Sequence, residues 1–442
     1  MASPYDREIL RLAVPAFGAL IAEPLYILTD TAVVGHLGTP QLGGLAIAGT
    51  LLLTGHALFV FLAYGTTASV SRLLGAGDRR AAAHEGVQGL WLALVIGVVL
   101  AVAVAATAPA LVDVMGAEGA VRTNALVYLR ISLLGVPALL LAQAGTGYLR
   151  GLQDTRTPLV VTAASVTANL VIELVLIYGF DQGIGASALA SVVAQTGGAA
   201  VYLRIVARDV RARGIGLRPD LDAVRRLARV GRDLFVRTAA LRLSLTLATA
   251  VAARIGVVEL GAHQIAFELW SLCALALDAI AIAGQAITGR LLGAGDTGTA
   301  RAAGRRMLGW GLWSGVALGA VLVALRPVLP GLFTDDVEVI ALCAWLLWIV
   351  AALQPLNAVV FVLDGVLIGA GDMRFLAWAM AGAAVVFVPA ALAVAGLGLG
   401  LGWLWGAVGL LMATRMAALL ARFAGSAWLI AGPAPHTSTA RR

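Results

Sequence analysis

Long apolar stretches separated by short polar segments run along almost the whole chain. A helix needs about 20 apolar residues to cross a bilayer, and charged residues together with Gly and Pro separate twelve stretches of that length. The cut within the charge-free stretch 375–414 rests on the Gly-rich run 396–400, which is typical of a turn. The pattern predicts an all-α integral membrane protein with spans near residues 9–34, 44–71, 87–112, 121–149, 158–179, 184–206, 228–253, 258–290, 302–325, 336–366, 375–395 and 402–424.

Composition supports this class and excludes several others. Of the 442 residues, 60% are hydrophobic and 12% are charged, whereas soluble domains carry roughly 25% charged residues. A cytosolic enzyme, a secreted domain and a disordered scaffold are therefore excluded, and the sequence contains no nucleotide-binding or hydrolase motif. The basic residues are arginines between apolar stretches, so we expect a lipid bilayer as partner and no nucleic acid. Cys273 and Cys343 have no metal-ligand spacing, so no metal or cofactor is expected.

The chain repeats itself. The segment Arg72–Asp78 (RLLGAGD) recurs as Arg290–Asp296, 218 positions later, and the same offset carries Gly151 onto Gly369. Each repeat therefore holds six spans, and an even number gives both repeats the same orientation in the membrane. We expect two six-helix lobes related by a pseudo-two-fold axis along the membrane normal, as in several secondary transporters.

The lobe boundaries and the orientation follow from the charges. The predicted domains are an N-terminal lobe (1–208), a cytoplasmic inter-lobe linker (209–227), a C-terminal lobe (228–424) and a cytoplasmic tail (425–442). With a cytoplasmic N-terminus, 24 of the 31 arginines fall on the cytoplasmic side, 3 fall in external loops and 4 fall within spans. The positive-inside rule then places both termini in the cytoplasm.

Acidic residues within the spans break the repeat. Asp30 and Glu173 lie within spans of the first lobe, whereas the second lobe has Ala248 and Ala391 at the equivalent positions. A carboxylate within a span costs roughly 2.5–3.5 kcal/mol on insertion scales and commonly marks an ion or proton path. Tyr26 lies four residues before Asp30 and Asn169 four before Glu173, so each pair shares a helix face. The structural alternative is that these acids pair with arginine and hold helices together.

Two further groups of residues are candidates. Pro15 and Pro24 in the first span each remove a backbone hydrogen bond and could act as a hinge or as a static kink. In the second lobe, charges of both signs lie at similar depths, and the favoured interpretation is ion pairing, with Arg242 to Asp278 as the leading pair. Binding of an anionic or zwitterionic substrate is the alternative for this second group, which consists of Arg237, Arg242, Glu268, Asp278 and Asp364.

Several motifs resemble the multidrug and toxic compound extrusion (MATE) family. They are Thr29–Gly38 (TDTAVVGHLG), Gly151–Pro158 (GLQDTRTP) and the repeated Gly-Ala-Gly-Asp helix ends. Arg232-Asp233 and Phe361–Gly365 resemble its DNA-damage-inducible F-like branch. The resemblance implies cation-coupled export by alternating access between two lobes.

The resemblance also implies residue roles. Asp30 takes the place of a helix-1 aspartate tied to protonation, and Pro15 takes the place of the hinge proline. The remaining positions of the implied cation-coupling network are Tyr26, Tyr128, Thr146, Asn169, Glu173 and Ser191.

The function predicted is proton-coupled antiport of cationic or amphipathic organic compounds by a monomer in the bacterial plasma (inner) membrane. Two alternatives remain open within the superfamily. One is a sodium-coupled exporter in which the same network forms a cation cage. The other is a flippase for lipid-linked sugars, which would favour a cationic cleft.

Overall fold

The computed structural model describes residues 4–180 and 182–433, and all regular structure within them is helical. Each of the twelve predicted spans is confirmed as a helix long and apolar enough to cross a membrane. The helices are α1 (Pro4–Gly35), α2 (Thr39–Phe59), α3 (Phe61–Gly75), α4 (Arg79–Val114), α5 (Gly119–Ser132), α6 (Val136–Gly151), α7 (Arg156–Leu174), α8 (Ile184–Ala212), α9 (Leu221–Ile255), α10 (Val257–Gly293), α11 (Thr297–Leu325), α12 (Val337–Gly369), α13 (Met373–Gly396) and α14 (Leu401–Ala424).

Within the described residues, fourteen α-helices make twelve spans because two spans each contain two α-helices. The second span, Thr39–Gly75, contains α2 and α3, which meet at Val60. The fourth span, Gly119–Gly151, contains α5 and α6, joined by a 3₁₀ turn over Leu133–Gly135. Pro137, the second residue of α6, has no amide hydrogen to continue the α-helical ladder from α5, so a tighter turn fits between the two helices.

The chain divides into two compact units, and two helices are split by the division. The N-unit is Gly18–Gly231, and the C-unit comprises residues 4–17 together with residues 232–433. The first part of α1 thus belongs to the C-unit and the rest of α1 to the N-unit, while the first part of α9 belongs to the N-unit. Within the C-unit, Asp6 forms an ion pair with Arg306 at 2.6 Å, which fastens the start of α1 to α11.

The segment between α8 and α9 is short. Residues 209–212 belong to α8 and residues 221–227 to α9, so the non-helical part of the predicted linker is 213–220. This loop is bound to α4 within the N-unit, since Trp91 Nε1 donates to the carbonyl of Leu217 at 2.9 Å. Of the predicted tail, residues 434–442 lie outside the described residues.

The repeated Gly-Ala-Gly-Asp motif ends one helix and starts the next. Gly77 and Gly295 have φ of +78° and +81°, in the left-handed region that favours glycine after a helix end. Asp78 and Asp296 each cap the following helix by accepting a hydrogen bond from the backbone amide three residues on, at 2.8 and 2.9 Å. Hydrogen bonds from Thr299 hold the pKa of Asp296 below its usual range.

Close helix packing also repeats at the offset of 218. A Cβ added at Gly147 in α6 would overlap the backbone of Ala63 in α3. A Cβ added at Gly365 in α12 would overlap the backbone of Ala281 in α10. Small residues let helix backbones approach this closely in membranes, so the sequence repeat reflects the same internal packing in both units.

Candidate functional site

Asp30 is buried in the N-unit and is held by hydroxyl groups. Its side chain is on α1 and the residue is 5% exposed. Ser187 Oγ on α8 donates to Oδ1 at 2.5 Å, and the Tyr128 hydroxyl on α5 donates to Oδ2 at 3.3 Å. In the part of the chain that the structure describes, no arginine or histidine forms an ion pair with this carboxyl. Asp30 is therefore bound by neutral partners, contrary to the structural alternative.

A second layer of polar groups lies one turn away on the same helices. The Tyr26 hydroxyl and Ser191 Oγ are 2.7 Å apart, and Asn169 Nδ2 donates to Ser191 Oγ at 3.1 Å. Tyr26 lies one turn before Asp30, and Ser191 lies one turn after Ser187, so α1 and α8 each contribute to both layers. The structure brings together the predicted residues Tyr26, Asp30, Tyr128, Asn169 and Ser191.

Glu173 on α7 is the second carboxyl of the cluster. It is completely buried, and neither of its carboxyl oxygens has a hydrogen-bond partner within the described residues. It nevertheless lies close enough to Asp30 and Ser187 to interact with both electrostatically. An ionised carboxylate in a place without donors is strongly disfavoured, and two adjacent carboxyls cannot easily both ionise. The pair therefore suits uptake of one proton.

A cavity of about 530 Å³ opens beside this cluster within the N-unit. Asp30, Tyr26, Tyr128, Asn169 and Ser191 line the cavity, whereas Glu173 is not among its lining residues. Most of the remaining wall is apolar, from helices α1, α2, α5, α6, α7 and α8. Such a pocket, apolar with a few convergent polar groups, is typical of a small-molecule site. Of the two carboxyls of this cluster, Asp30 is thus the one that faces the cavity.

Thr146 also lines the cavity but belongs to a different hydrogen bond. Its hydroxyl donates to the Tyr202 hydroxyl at 3.0 Å, so α6 is linked there to α8. The structure does not bring Thr146 into contact with the two carboxyls. Pro15 and Pro24 both lie within the continuous helix α1, and Pro15 precedes by two residues the point where α1 passes from the C-unit to the N-unit.

The charged residues of the C-unit form a buried cluster centred on Asp364. Arg237 from α9 and Arg415 from α14 each donate to Asp364 Oδ2, both at 2.5 Å. Ion pairing was the favoured expectation for this group, and the structure places Arg237 and Asp364 in contact in this way. The leading pair, Arg242 with Asp278, stays a prediction. Arg242 and Glu268 have exposed side chains, and Asp278 is half-buried.

Two functional contacts were missed at the sequence level. Ser187 was not selected, although it lies one turn before Ser191 and a common helix face was a signal that could have found it. Arg415 is one of the four arginines counted within spans, but it was not expected to be the second partner of Asp364. Both contacts join helices distant in the chain, which spacing within one helix does not reveal.

The C-unit has no counterpart of the acidic cluster at the equivalent positions. A shift of 218 residues replaces Asp30, Tyr128, Asn169, Glu173 and Ser187 by buried, apolar or aromatic side chains. The replacements are Ala248, Leu346, Phe387, Ala391 and Trp405. Because the same fold is built there without polar groups, the N-unit cluster is not required by the scaffold.

Comparisons with known proteins cover both halves of the chain. A family model described as MatE matches residues 15–175 and 234–392. The chain is 33% identical over 387 residues to Protein DETOXIFICATION 44, chloroplastic, of Arabidopsis thaliana, covering 84% of this chain and 74% of that protein. It is 30% identical over 415 residues to DNA damage-inducible protein F of Escherichia coli (strain K12), covering 90% of this chain and 88% of that protein.

A solved structure shows the same fold. The crystal structure of a MATE transporter of Vibrio cholerae in its bent form matches with a TM-score of 0.86 and 20% sequence identity. The match covers 94% of this chain and 95% of that chain. At this identity the likeness supports the arrangement of helices and not the choice of ligand.

Proposed function

Since this chain belongs to the MatE family of multidrug and toxic compound efflux transporters, we propose that it exports cationic or amphipathic organic compounds in exchange for protons. The resemblance read from its motifs is thereby confirmed, and members of this family are transporters and not enzymes. The choice of protons is supported by two buried carboxyls. Asp30 accepts hydrogen bonds from the hydroxyls of Ser187 and Tyr128, the Glu173 carboxyl has no hydrogen-bond partner within the described residues, and neither acid has an ion pair there.

In the proposed exchange, the proton and the organic cation compete for the negative charge of Asp30. With Asp30 ionised, its carboxylate accepts hydrogen bonds from Ser187 and Tyr128 and attracts an organic cation in the cavity. A hydrogen bond to a charged group contributes about 1.5–3 kcal/mol, so protonation weakens both bonds and removes the attraction. The cation leaves, and the rearranged hydroxyl groups alter how α1, α5 and α8 pack around the cavity.

Glu173 serves as the partner that couples the two protonation states. It is expected to carry a proton while Asp30 is ionised, because two buried carboxylates side by side repel each other. Exchange of that proton with Asp30 needs only a rearrangement of Ser187, which lies near both groups. Alternating exposure of the cavity by movement of the two lobes completes the cycle in this proposal.

The experiment uses purified protein in sealed liposomes with a fluorescent organic cation, under an imposed proton gradient or an imposed sodium gradient. We expect the proton gradient alone to drive uptake and Asp30→Asn to abolish it. Asp113→Asn is the matched control, since Asp113 is an acid of the same unit that pairs with Arg122 away from the cavity. Proton-driven uptake by Asp30→Asn at the wild-type rate would refute the proposal.

The same experiment separates the alternatives. Uptake driven by sodium alone would mean that the oxygen atoms of Asp30, Glu173, Asn169 and Ser191 form a cation cage. Absence of dye movement under both gradients would direct attention to lipid-linked substrates. We also propose a bacterial plasma membrane location with both termini cytoplasmic, supported by the 24 arginines on that side.

A further inference from the structure

A second polar cluster faces the same cavity, away from Asp30. It consists of Glu23 on α1, His56 on α2 and Gln143 on α6, all of which line the cavity. His56 Nε2 lies 3.5 Å from Glu23 Oε1 and 3.1 Å from Gln143 Nε2. Glu23 precedes Asp30 by seven residues on α1, which is about 10 Å along a helix and on the same face.

The contacts of His56 Nε2 are compatible with a neutral and with a protonated ring. A carboxylate only accepts hydrogen bonds, so the contact with Glu23 is attractive when Nε2 carries a proton. The Gln143 amide suits either state, because it donates to a neutral ring through nitrogen and, when turned over, accepts from a protonated ring through oxygen. The other ring nitrogen, Nδ1, is buried and has no hydrogen-bond partner within residues 4–180 and 182–433.

The Glu23 side chain is more exposed than the His56 side chain, as expected if Glu23 contacts a ligand. The Glu23 side chain is 48% exposed and the His56 side chain is 19% exposed. The carboxylate therefore reaches into the cavity, while the imidazole lies behind it. Because an imidazole can bind or release a proton at its ring nitrogens, the contact between His56 and Glu23 differs between the two states of the ring.

We propose that Glu23 binds the positively charged group of a transported organic cation and that protonation of His56 displaces this cation by pairing with Glu23. The ligand class is a monovalent organic cation with an apolar body, which fits the apolar wall around the cluster. This inference rests on the proposed function, because it assumes that organic cations enter the N-unit cavity. It adds a recognition site distinct from the proton-coupling pair.

The other titratable residues that line the cavity do not form a second pair of a carboxylate and a histidine. The remaining titratable residues that line it are Tyr26, Asp30, Tyr64, Tyr128, Arg150 and Tyr202. Tyrosine and arginine side chains ordinarily keep one charge state between pH 5 and 8. Helix α5 packs against α2 and contributes Tyr128 to the cavity. Asp30 is therefore the other acidic residue of the cavity lining that a test of this cluster must account for.

The repeat shows whether the fold itself needs polar residues at the positions of Glu23, His56 and Gln143. The positions equivalent to Glu23, His56 and Gln143 in the second lobe are occupied by Leu241, Ala274 and Phe361. The fold forms there with apolar side chains, so the scaffold does not require the polar trio. A purely structural role for the trio would need an explanation specific to the N-unit.

The test is equilibrium binding of tetraphenylphosphonium, a permanent monovalent cation, to detergent-purified full-length protein at about pH 5.5 and 8. Triphenylphosphine oxide, an uncharged compound of similar shape, reports whether the cavity is intact. Binding is measured in the wild type and in an Asp30→Asn background. Because that variant removes the attraction of Asp30 for the cation, the affinity that remains is assigned to the Glu23 cluster. We expect affinity for the cation in that background to rise about tenfold between the two pH values.

The variants give distinct outcomes. His56→Gln is expected to bind the cation equally well at both pH values, at the level that the parent reaches at pH 8. Glu23→Gln is expected to bind it about tenfold more weakly at pH 8 and without pH dependence. His84→Gln is the matched control, since His84 contacts Asp220 at 3.8 Å outside the cavity, and it is expected to keep the parental profile.

Retention of the parental pH dependence by His56→Gln, with normal binding of the uncharged compound, would overturn the proposal. So would parental affinity of Glu23→Gln at pH 8. Failure of the proposed function would be detected separately, as proton-driven transport by Asp30→Asn in liposomes. The binding results do not depend on that outcome.

Discussion

At the scale of single residues, the two most buried aspartates of the membrane helices are held in opposite ways. Asp30 accepts hydrogen bonds from the hydroxyls of Ser187 and Tyr128. Asp364 accepts from the guanidinium groups of Arg237 and Arg415. Two cationic neighbours strongly favour the ionised carboxylate, whereas hydroxyl neighbours are compatible with either form. These contacts support the proposal that Asp30 exchanges protons, and we propose a structural role for Asp364.

The structural role of Asp364 leads to a prediction for stability. Asp364→Asn leaves two buried guanidinium groups without their shared counter-charge, and breaking a buried ion pair costs about 3–5 kcal/mol. We expect a large decrease in the thermal unfolding temperature, measured in detergent by intrinsic fluorescence. The control is Asp372→Asn, because Asp372 pairs with Arg422 in a partly exposed position and such pairs contribute about 0–1 kcal/mol. Normal stability of Asp364→Asn combined with lost transport would instead favour substrate binding by this cluster.

The sequence predicted the members of the site better than their partners. Spacing of four residues placed Tyr26 beside Asp30 and Asn169 beside Glu173, and the broken repeat singled out both acids. Ser187 was missed because its contact with Asp30 joins α8 to α1, and helix periodicity says nothing about which helices meet. Arg415 was missed as a partner of Asp364 for the same reason.

Among the helices, glycines at equivalent positions of the two repeats let α6 approach α3 and α12 approach α10. The added Cβ of Gly147→Ala or Gly365→Ala would overlap backbone atoms of the neighbouring helix. We expect each to lower the free energy of unfolding by about 1–3 kcal/mol, as overpacking does. Gly49→Ala and Gly382→Ala are the controls, because nothing lies within 4 Å of a Cβ added there. Thermal unfolding in detergent checks the four variants, and equal stability of all four would contradict this account of the packing.

Helix ends were predictable because they carry local signals. The Gly-Ala-Gly-Asp motif gives both the end of α3 and the start of α4, and it does the same for α10 and α11. The interruption of the second span at Val60 was not predicted, since the sequence around it is uniformly apolar and has no Gly or Pro at that residue. Its position depends on packing between helices, which a hydropathy pattern does not contain.

At the scale of the whole molecule, α1 belongs to both compact units. The start of α1 is fastened to the C-unit by the ion pairs of Asp6 with Arg306 and of Glu8 with Arg290, the second at 2.7 Å. From Gly18 onward the helix belongs to the N-unit and carries Asp30. Hydropathy predicted one span here, and the internal repeat predicted two lobes in the chain. It did not predict the division within the helix, because compactness is set by contacts between distant segments.

Because of this division, we predict that Pro15 and not Pro24 acts as a hinge in α1. Pro15 lies two residues before the point of division, whereas Pro24 lies within the N-unit. Pro15→Ala restores one backbone hydrogen bond, worth about 1 kcal/mol, and so stabilises one helix conformation against bending. We expect the initial rate of proton-driven uptake in liposomes to fall about fivefold for that free-energy change, with unchanged equilibrium binding of the organic cation. Pro24→Ala is the control and is expected to transport near the wild-type rate. The reverse order of the two variants would place the hinge at Pro24, and equal, normal rates for both would mean that α1 does not bend during transport.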